Sequence, residues 1–182
     1  MLTRHRNTPA HLYRDNTAYF VTGAIYQKRH LLANPAMKQE LLSLIQLYFA
    51  QYGWELQHWV ILDNHYHVLG KSSKGVAITT IMRRIHSRSA VTIARMFDDV
   101  TKPIWWNYWD YCPRDEEDYY TRLNYLLMNP IKHSYTQNLN HYEYSSYHSL
   151  IAEQTRAALV IQMQKYPAYT SLILSEAKDD NF

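Results

Sequence analysis

The chain has 182 residues, of which 47% are hydrophobic and 19% are charged, and its formal net charge is +3. This length predicts one domain with a sizeable core, and this composition excludes a disordered chain. The single cysteine, Cys112, excludes an internal disulfide and is typical of a reducing compartment. Residues 1–6 lack the apolar core of a secretory signal, and no apolar run is long enough to span a membrane, so we expect a soluble, cytoplasmic protein.

Charge and aromatic content permit a nucleic-acid partner without requiring one. A net charge of +3 is only mildly basic. The seventeen tyrosines and five tryptophans offer many rings on which unpaired bases can stack. Because such rings also bury large surfaces, we expect most of them to lie in the core or at its rim.

Hydrophobic periodicity and turn residues predict the order of the secondary structure. The predicted elements are strand 17–26, helix 36–52, strand 54–62, strand 65–70, helix 76–97, strand 105–111, a helix that begins at the acidic residues 115–118 and a weaker helix over 154–165. Asp63-Asn64 forms the turn between the second and third strands. The acidic-capped helix should end near Pro130, since the residue before a proline avoids the helical region.

This order of elements predicts an α+β fold close to the ferredoxin-like layout. It would have one antiparallel sheet with helices mainly on one face. We expect a catalytic domain over residues 1–150 and a C-terminal helical extension over 151–182 that belongs to the same domain. Residues 171–182 should be frayed.

Two histidines, His65 and His67, stand in the third predicted strand, after an apolar run and a turn. Residues at i and i+2 of a strand point to the same face, so both imidazoles can reach one divalent metal. Chance supplies roughly half a His-x-His pair at this composition, so a structural pair remains the alternative. With an amide or carboxylate and open positions for phosphate oxygens, the pair would suit Mg²⁺ or Mn²⁺.

Tyr125 and Asn129 lie one turn apart on the acidic-capped helix and therefore on the same face. The amide could complete a metal site while the tyrosine oxygen approaches a phosphorus atom. Alternatively, Tyr125 packs in the core and Asn129 caps the helix end. The spacing does not separate these two interpretations.

A basic cluster and three tryptophans are further candidates for contact with nucleic acid. Arg83, Arg84 and Arg88 lie on the long helix, where a solvated face is the alternative to phosphate contact. Of the tryptophans between 105 and 109, most should be core, although one exposed ring would suit a single-strand site. The chain has no glycine-rich phosphate loop, no Cys-x-x-Cys and no Gly-x-Ser-x-Gly.

Taken together, these motifs resemble the single-tyrosine HUH transposases, and most closely the REP-associated tyrosine transposases. The resemblance runs from about Tyr13 to His148 and rests on several motifs in the family's order. They are Leu62-Asp63-Asn64-His65-Tyr66-His67-Val68-Leu69, Ile81-Met82-Arg83-Arg84-Ile85-His86-Ser87, the segments 105–110 and 114–117, Tyr125-Leu126-Leu127-Met128-Asn129-Pro130 and Tyr144-Ser145-Ser146-Tyr147. The chain departs from the family at Asp63, where a proline is usual, and at the bulky Tyr66.

The resemblance implies a metal-dependent single-stranded DNA endonuclease and strand transferase that acts at DNA hairpins. His65 and His67 would hold a divalent metal, Mg²⁺ or Mn²⁺, and Tyr125 would form a 5′-phosphotyrosine intermediate. Asn129 stands where relatives place a third ligand, often Gln or His. The partner would be hairpin DNA, bound with the help of Arg83, Arg84 and Arg88, and the protein would be nucleoid-associated.

The resemblance leaves three points open. The protein could act as a monomer or a homodimer. It could also be a hairpin-binding protein that has lost catalysis, or a phosphodiesterase that uses water as the nucleophile.

Overall fold

The computed structural model describes residues 13–97 and 99–168. Their regular elements, apart from short 3₁₀ turns, are β1 (Ala18–Ala24), α1 (Pro35–Gln51), β2 (Glu55–Ile61), β3 (His65–Lys71), α2 (Ile78–Met96), β4 (Trp109–Tyr111), α3 (Glu116–Lys132), α4 (Tyr147–Glu153) and α5 (Arg156–Lys165). No helix among the described residues is both long and apolar enough to cross a membrane.

The four strands form one antiparallel sheet in the order β2-β3-β1-β4. A β-α-β-β-α-β chain order with this arrangement is the ferredoxin-like layout, so the predicted α+β class is confirmed. The central strands β1 and β3 pair so that Thr22 lies opposite His67 and Ala24 lies opposite His65. The strand with the histidines is therefore covered by a neighbour on both edges.

The sheet has a hydrophobic core on each face, because successive strand residues point to opposite sides. Tyr19, Val21 and Tyr66 belong to the core that α1 and α2 cover. Phe20 and Leu69 belong to the core that α3, α4 and α5 cover. The expectation that the helices lie mainly on one face is corrected in this respect, since α1 and α2 cover one face of the sheet and α3, α4 and α5 cover the other.

Helix α3 extends further than the sequence predicts. It begins at Asp115, whose side chain accepts a hydrogen bond from the Asp118 N–H at 2.8 Å. It passes through Pro130 and ends at Lys132, and the His133 N–H still bonds the Asn129 carbonyl at 3.0 Å. A proline in the last turn removes only one helical hydrogen bond, so the helix tolerates it there.

Two other predictions differ from the structure or lie beyond it. The strand expected over 105–111 is regular only in β4, and its first part makes an isolated bridge between Trp105 and Ile25. The expected fraying of residues 171–182 lies outside the described residues. Helix α4 runs across residue 150, and α5 contributes Leu159 to the core beneath α3.

The segment Tyr144–Ser146 lies along the outer edge of β2. The Ile61 N–H donates to the Tyr144 carbonyl at 2.9 Å, and the Ser146 N–H donates to the Trp59 carbonyl at 2.8 Å. Val60 and Ser145 form an isolated antiparallel bridge between them. This tyrosine- and serine-rich segment thus adds a short fourth pairing to the three pairings of the sheet.

Candidate active site

Strand β3 places His65 and His67 on the sheet face that α3 covers. Tyr66, between them, points into the opposite core, as strand alternation requires. The ring centres of the two histidines are 5.1 Å apart. His67 is 1% exposed, whereas His65 is partly exposed. The predicted pairing of the two imidazoles on one face is therefore present.

The hydrogen bonds of Asn64 fix the tautomer of His65. The Asn64 Nδ2 donates to the Lys28 carbonyl at 3.2 Å, which leaves Oδ1 to accept from His65 Nδ1 at 2.6 Å. A neutral imidazole has one N–H, so His65 Nε2 carries a lone pair. That nitrogen lies 3.2 Å from the Asn129 Oδ1. Two acceptor atoms thus lie next to each other with no proton between them, and a cation bound to both would stabilise this arrangement.

Thr22 orients His67 in a similar way. Its Oγ1 lies 2.8 Å from His67 Nδ1. Donation from Nδ1 to this hydroxyl leaves a lone pair on Nε2, which is buried and has no hydrogen-bond partner among the described residues. Ligand histidines commonly bind a metal through one nitrogen while a hydrogen bond holds the other. Unpartnered buried polar atoms are rare in native proteins, so this nitrogen is a candidate ligand atom.

Both histidines are neutral at physiological pH. Burial is the main cause that lowers the pKa of His65 to about 3, and the charges of His133, Lys132 and Lys28 add to it. Burial, followed by the neighbouring His65, also lowers the pKa of His67 well below its ordinary value. A neutral imidazole is the form that binds metals. The charges that act most strongly on the pair are positive, as a site for phosphate requires.

Helix α3 contributes one face to the site. Tyr125, Asn129, Lys132 and His133 follow each other at the spacing of successive turns. Asn129 is fully buried and contacts His65 as described above, and its own Nδ2 has no partner among the described residues. The ring centre of His133 lies 5.1 Å from that of His65. The amide predicted to join the histidines therefore does lie beside them.

Tyr125 is 2% exposed and lies against the second histidine. Its ring centre is 5.4 Å from that of His67 and 6.2 Å from that of Phe20. The Lys132 ammonium donates to the Tyr125 hydroxyl at 3.1 Å. A cation that donates to a phenol oxygen stabilises its deprotonated form, which is the nucleophilic form.

The donor atoms fit a divalent cation of the Mg²⁺ or Mn²⁺ kind. Adjacent ligands of an octahedral ion with bonds of about 2.1 Å are separated by about 3 Å, close to the 3.2 Å between His65 Nε2 and Asn129 Oδ1. His67 Nε2 is the third candidate ligand atom, on a ring whose centre is 5.1 Å from that of His65. No cluster of three His, Cys, Asp or Glu side chains that could hold a metal occurs in the described part of the chain. Phosphate oxygens would therefore have to supply the negative charge that these ligands lack.

Sequence reasoning missed four residues of this site. Thr22 and Asn64 are found only through strand pairing and turn geometry, which no short motif encodes. Lys132 and His133 lie seven and eight residues after Tyr125, a helical spacing that would have revealed them had α3 been expected to continue past Pro130.

The three predicted DNA-binding arginines lie away from this site. Arg83, Arg84 and Arg88 are exposed on α2, which covers the opposite face of the sheet. The Arg84 guanidinium lies 5.9 Å above the ring centre of Tyr48. Any contact that they make with DNA would be separate from the histidine pair.

An antiparallel α+β fold with a histidine pair facing a tyrosine helix defines a class of DNA-processing proteins. The chain belongs to the IS200-like transposase family, whose family model matches residues 15–112. The matched region contains His65 and His67 and ends before α3. The role of Tyr125 is therefore argued from the geometry of this chain.

Two similar proteins are consistent with membership of this family. A REP-associated tyrosine transposase of Escherichia coli (strain K12) is 24% identical over 100 residues, which are 54% of this chain and 58% of that protein. The chain thus spans little more than half the length of that curated relative. A solved structure of a REP-associated tyrosine transposase bound to a REP hairpin has a TM-score of 0.68 at 22% identity, over 83% of this chain and 86% of that one. That match establishes the fold.

Proposed function

We propose that the protein is a metal-dependent single-stranded DNA endonuclease and strand transferase that uses Tyr125 as its nucleophile. One observation carries the proposal. The Tyr125 hydroxyl accepts from Lys132, and the Tyr125 ring packs against His67, so nucleophile, cation and candidate metal ligands lie side by side. Nucleophilic catalysis requires such an activated hydroxyl beside an electrophilic centre.

His65, His67 and Asn129 would hold the metal, Mg²⁺ or Mn²⁺. When bound, it would polarise the scissile phosphate and neutralise charge on its oxygens. Donation from Nδ1 of each histidine, to Thr22 Oγ1 and to Asn64 Oδ1, would leave both Nε2 atoms for the metal. Lys132 and Lys28 would add positive charge near the scissile phosphate. They would also attract the phosphates on either side of it in the single strand.

The chemical step exchanges one phosphodiester for another. The Tyr125 phenol loses its proton to solvent base, and Lys132 stabilises the resulting phenolate. The Oη–phosphorus bond forms as the bond between phosphorus and the 3′ oxygen breaks, and that oxygen takes a proton from water, which gives a 5′-phosphotyrosine and a free 3′-hydroxyl. Attack by another 3′-hydroxyl reverses the exchange and joins strands without a nucleotide cofactor.

The proposed substrate is single-stranded DNA that contains a hairpin. The similar solved structure holds a REP hairpin, and the exposed Arg83, Arg84 and Arg88 offer a basic helix face for a DNA backbone. Because this face is opposite the site, the hairpin stem and the cleaved strand would occupy different sides of the sheet. We further propose that the protein acts in the cytoplasm at the nucleoid, as a monomer or a homodimer.

A covalent-adduct assay tests the proposal. The protein is incubated with Mn²⁺ and a hairpin oligonucleotide that carries single-stranded extensions, and the adduct is resolved on a denaturing gel. We expect Tyr125→Phe to abolish the adduct because the phenol oxygen is the nucleophile. Tyr120→Phe, on the same helix but stacked on Tyr166, should leave it unchanged. An adduct that persists in Tyr125→Phe would falsify the assignment.

A non-catalytic hairpin-binding protein is the second candidate. The observations that favour it are the 2% exposure of Tyr125 and the short side chain of Asn129, at the position where the resemblance implies Gln or His. It predicts salt-sensitive hairpin binding without a metal-dependent adduct. A hydrolase that uses water would instead cleave in Tyr125→Phe and fail in His65→Ala.

A further inference from the structure

Two aromatic rings stack beside the histidine pair. Tyr26 and Trp106 have ring centres 5.1 Å apart and planes inclined by 17°, and both side chains are partly exposed. The backbone N–H of Trp106 donates to the Ala24 carbonyl at 2.8 Å. In the sheet, Ala24 is paired with His65. Tyr26 is two residues beyond Ala24. The stacked pair thus lies at the end of β1 that is next to His65.

The two neighbouring tryptophans have structural partners. Trp105 stacks on His86 with ring centres 4.3 Å apart, and its indole N–H donates to the Ser89 hydroxyl at 3.0 Å. Trp109 packs edge-on against Phe20 at 6.5 Å. Both pack against one of the two cores, whereas Trp106 belongs to neither among the described residues. The Tyr26–Trp106 stack is therefore partly exposed and lies outside both cores.

The turn that carries Tyr26 is held in a fixed, unfavourable conformation. Gln27 and Lys28 have φ values of 58° and 53°. These values lie in the left-handed region, which residues other than glycine seldom adopt. The Arg29 guanidinium fastens the turn to the carbonyls of Thr101 and Pro103 at 2.8 and 2.6 Å. Strained backbone of this kind persists where the surroundings enforce it and is common at binding sites.

Positive charge surrounds this turn. Lys28 is exposed, and its carbonyl accepts from Asn64, the residue that orients His65. Lys132, on α3, and Lys28 both lie close enough to His65 to add positive charge there. A strand whose phosphate entered the histidine site would therefore meet cations along its backbone and the Tyr26–Trp106 rings beside it.

We propose that Tyr26 and Trp106 form a stacking site for an unpaired nucleobase that flanks the phosphate at the histidine pair. The inference rests on the proposed function and specifies where the single strand lies. Stacking on aromatic rings is tolerant of base identity, so the site would position the strand rather than read its sequence. The fixed turn preorganises the Tyr26 and Trp106 rings in the absence of DNA, which lowers the entropy cost of binding.

Binding of a short single strand, without any cleavage, tests the site. The probe is a dT oligonucleotide of about ten nucleotides, and its matched control is an abasic oligonucleotide of the same length. Loss of one base–aromatic stack should weaken dT binding by about 5- to 100-fold in Trp106→Ala and in Tyr26→Ala. Neither variant should change binding of the abasic strand, because its phosphates are intact.

Two further variants serve as controls for the loss of a ring. Trp106→Phe retains a ring and should bind dT within about threefold of the wild type, since stacking on Phe persists. Bound dT should also quench tryptophan fluorescence in the wild type, and Trp106→Phe should lose the part of this quenching that Trp106 contributes. Tyr13→Ala removes a ring that is 52% exposed and bonds Thr79 on α2, and it should bind like the wild type. Unfolding curves establish that each variant is folded.

Wild-type dT affinity in both alanine variants overturns the inference, as does an equal loss for the abasic strand. If an alanine variant fails to fold, Trp106→Phe takes its place. The stacking site would also be refuted if dT quenched tryptophan fluorescence equally in Trp106→Phe and in the wild type. The proposed function stands or falls separately, on the Tyr125 adduct. An adduct that depends on Tyr125 together with normal dT binding by both alanine variants would refute the stacking site alone.

Discussion

The ammonium of Lys132 lies 3.1 Å from the hydroxyl of Tyr125 and 4.7 Å from the centre of its ring. Both side chains come from α3, so this contact depends on the helix continuing through Pro130. The same helix face brings Asn129 to His65. One continuous helix thus sets the distance between the nucleophile and the candidate metal ligands.

The first prediction concerns Lys132→Met. Removal of a charged hydrogen-bond donor worth about 1.5–3 kcal/mol should slow adduct formation about 10- to 100-fold at neutral pH. The loss should shrink at high pH, because hydroxide then generates the phenolate without help. Single-turnover adduct formation from pH 6 to 10 measures both effects. Lys71→Met, at the far end of β3, is the control, and a uniform loss at every pH would contradict the activating role.

The second prediction concerns the charge of the metal site. Asn129→Asp replaces a neutral oxygen ligand with a carboxylate and should tighten Mn²⁺ binding in the absence of DNA, by about tenfold or more, because hard cations prefer charged oxygen. Isothermal titration with Mn²⁺ alone gives the affinity. Asn107→Asp, an exposed substitution, should have no effect. Equal Mn²⁺ affinity in the wild type and Asn129→Asp would show that Asn129 is not a ligand.

The third prediction concerns the ion pair before the histidine strand. The Lys38 ammonium, in a side chain 7% exposed, lies 2.6 Å from the Asp63 carboxylate. It also lies 5.0 Å from the ring centre of Tyr144. Loss of one partner leaves a poorly solvated charge, so Asp63→Asn should lower the free energy of unfolding by about 3 kcal/mol. The double variant with Lys38→Met should recover part of that loss in urea unfolding, and strictly additive losses would exclude coupling.

The fourth prediction concerns stability in acid. Burial lowers the pKa of His86 to about 3, from an ordinary value of 6.5. Between these values the unfolded chain binds a proton that the folded chain does not, so stability is constant above about pH 6.5 and falls as the pH decreases towards 3. His86→Phe should remove about 1–2 kcal/mol of the loss between pH 7 and pH 5. Urea unfolding at both pH values measures it, and an unchanged pH dependence would contradict the burial argument.

Local patterns sufficed for the parts of the fold that depend on neighbouring residues. The alternation in β3 and the acidic first turn of α3 are visible in short stretches of sequence, so the position of the histidine pair and the start of the tyrosine helix were predictable. The continuation of α3 to Lys132 was not, because a proline near a helix end is tolerated according to its place in the turn. Thr22 reaches His67 only through the register of β1 with β3, a long-range property.

The division of the helices between two faces was likewise hidden. Phe20 and Val21 are equally apolar, and nothing in the sequence of β1 states that both sides of the strand are covered. The aromatic segment 105–109 shows the same limit. Only the fold separates Trp106 from Trp105 and Trp109, since the three differ in partners rather than in local composition.

The pairing of Tyr144–Ser146 with β2 has a consequence for self-association. An unpaired outer strand invites addition of a strand from another molecule. Here the stretch Trp59–Ile61 is already occupied, the remainder of β2 is irregular between Leu56 and His58, and β4 at the opposite edge has only three residues. Among the described residues, both edges of the sheet are therefore poor templates for joining two copies, and we expect any homodimer to form through helix or loop surfaces.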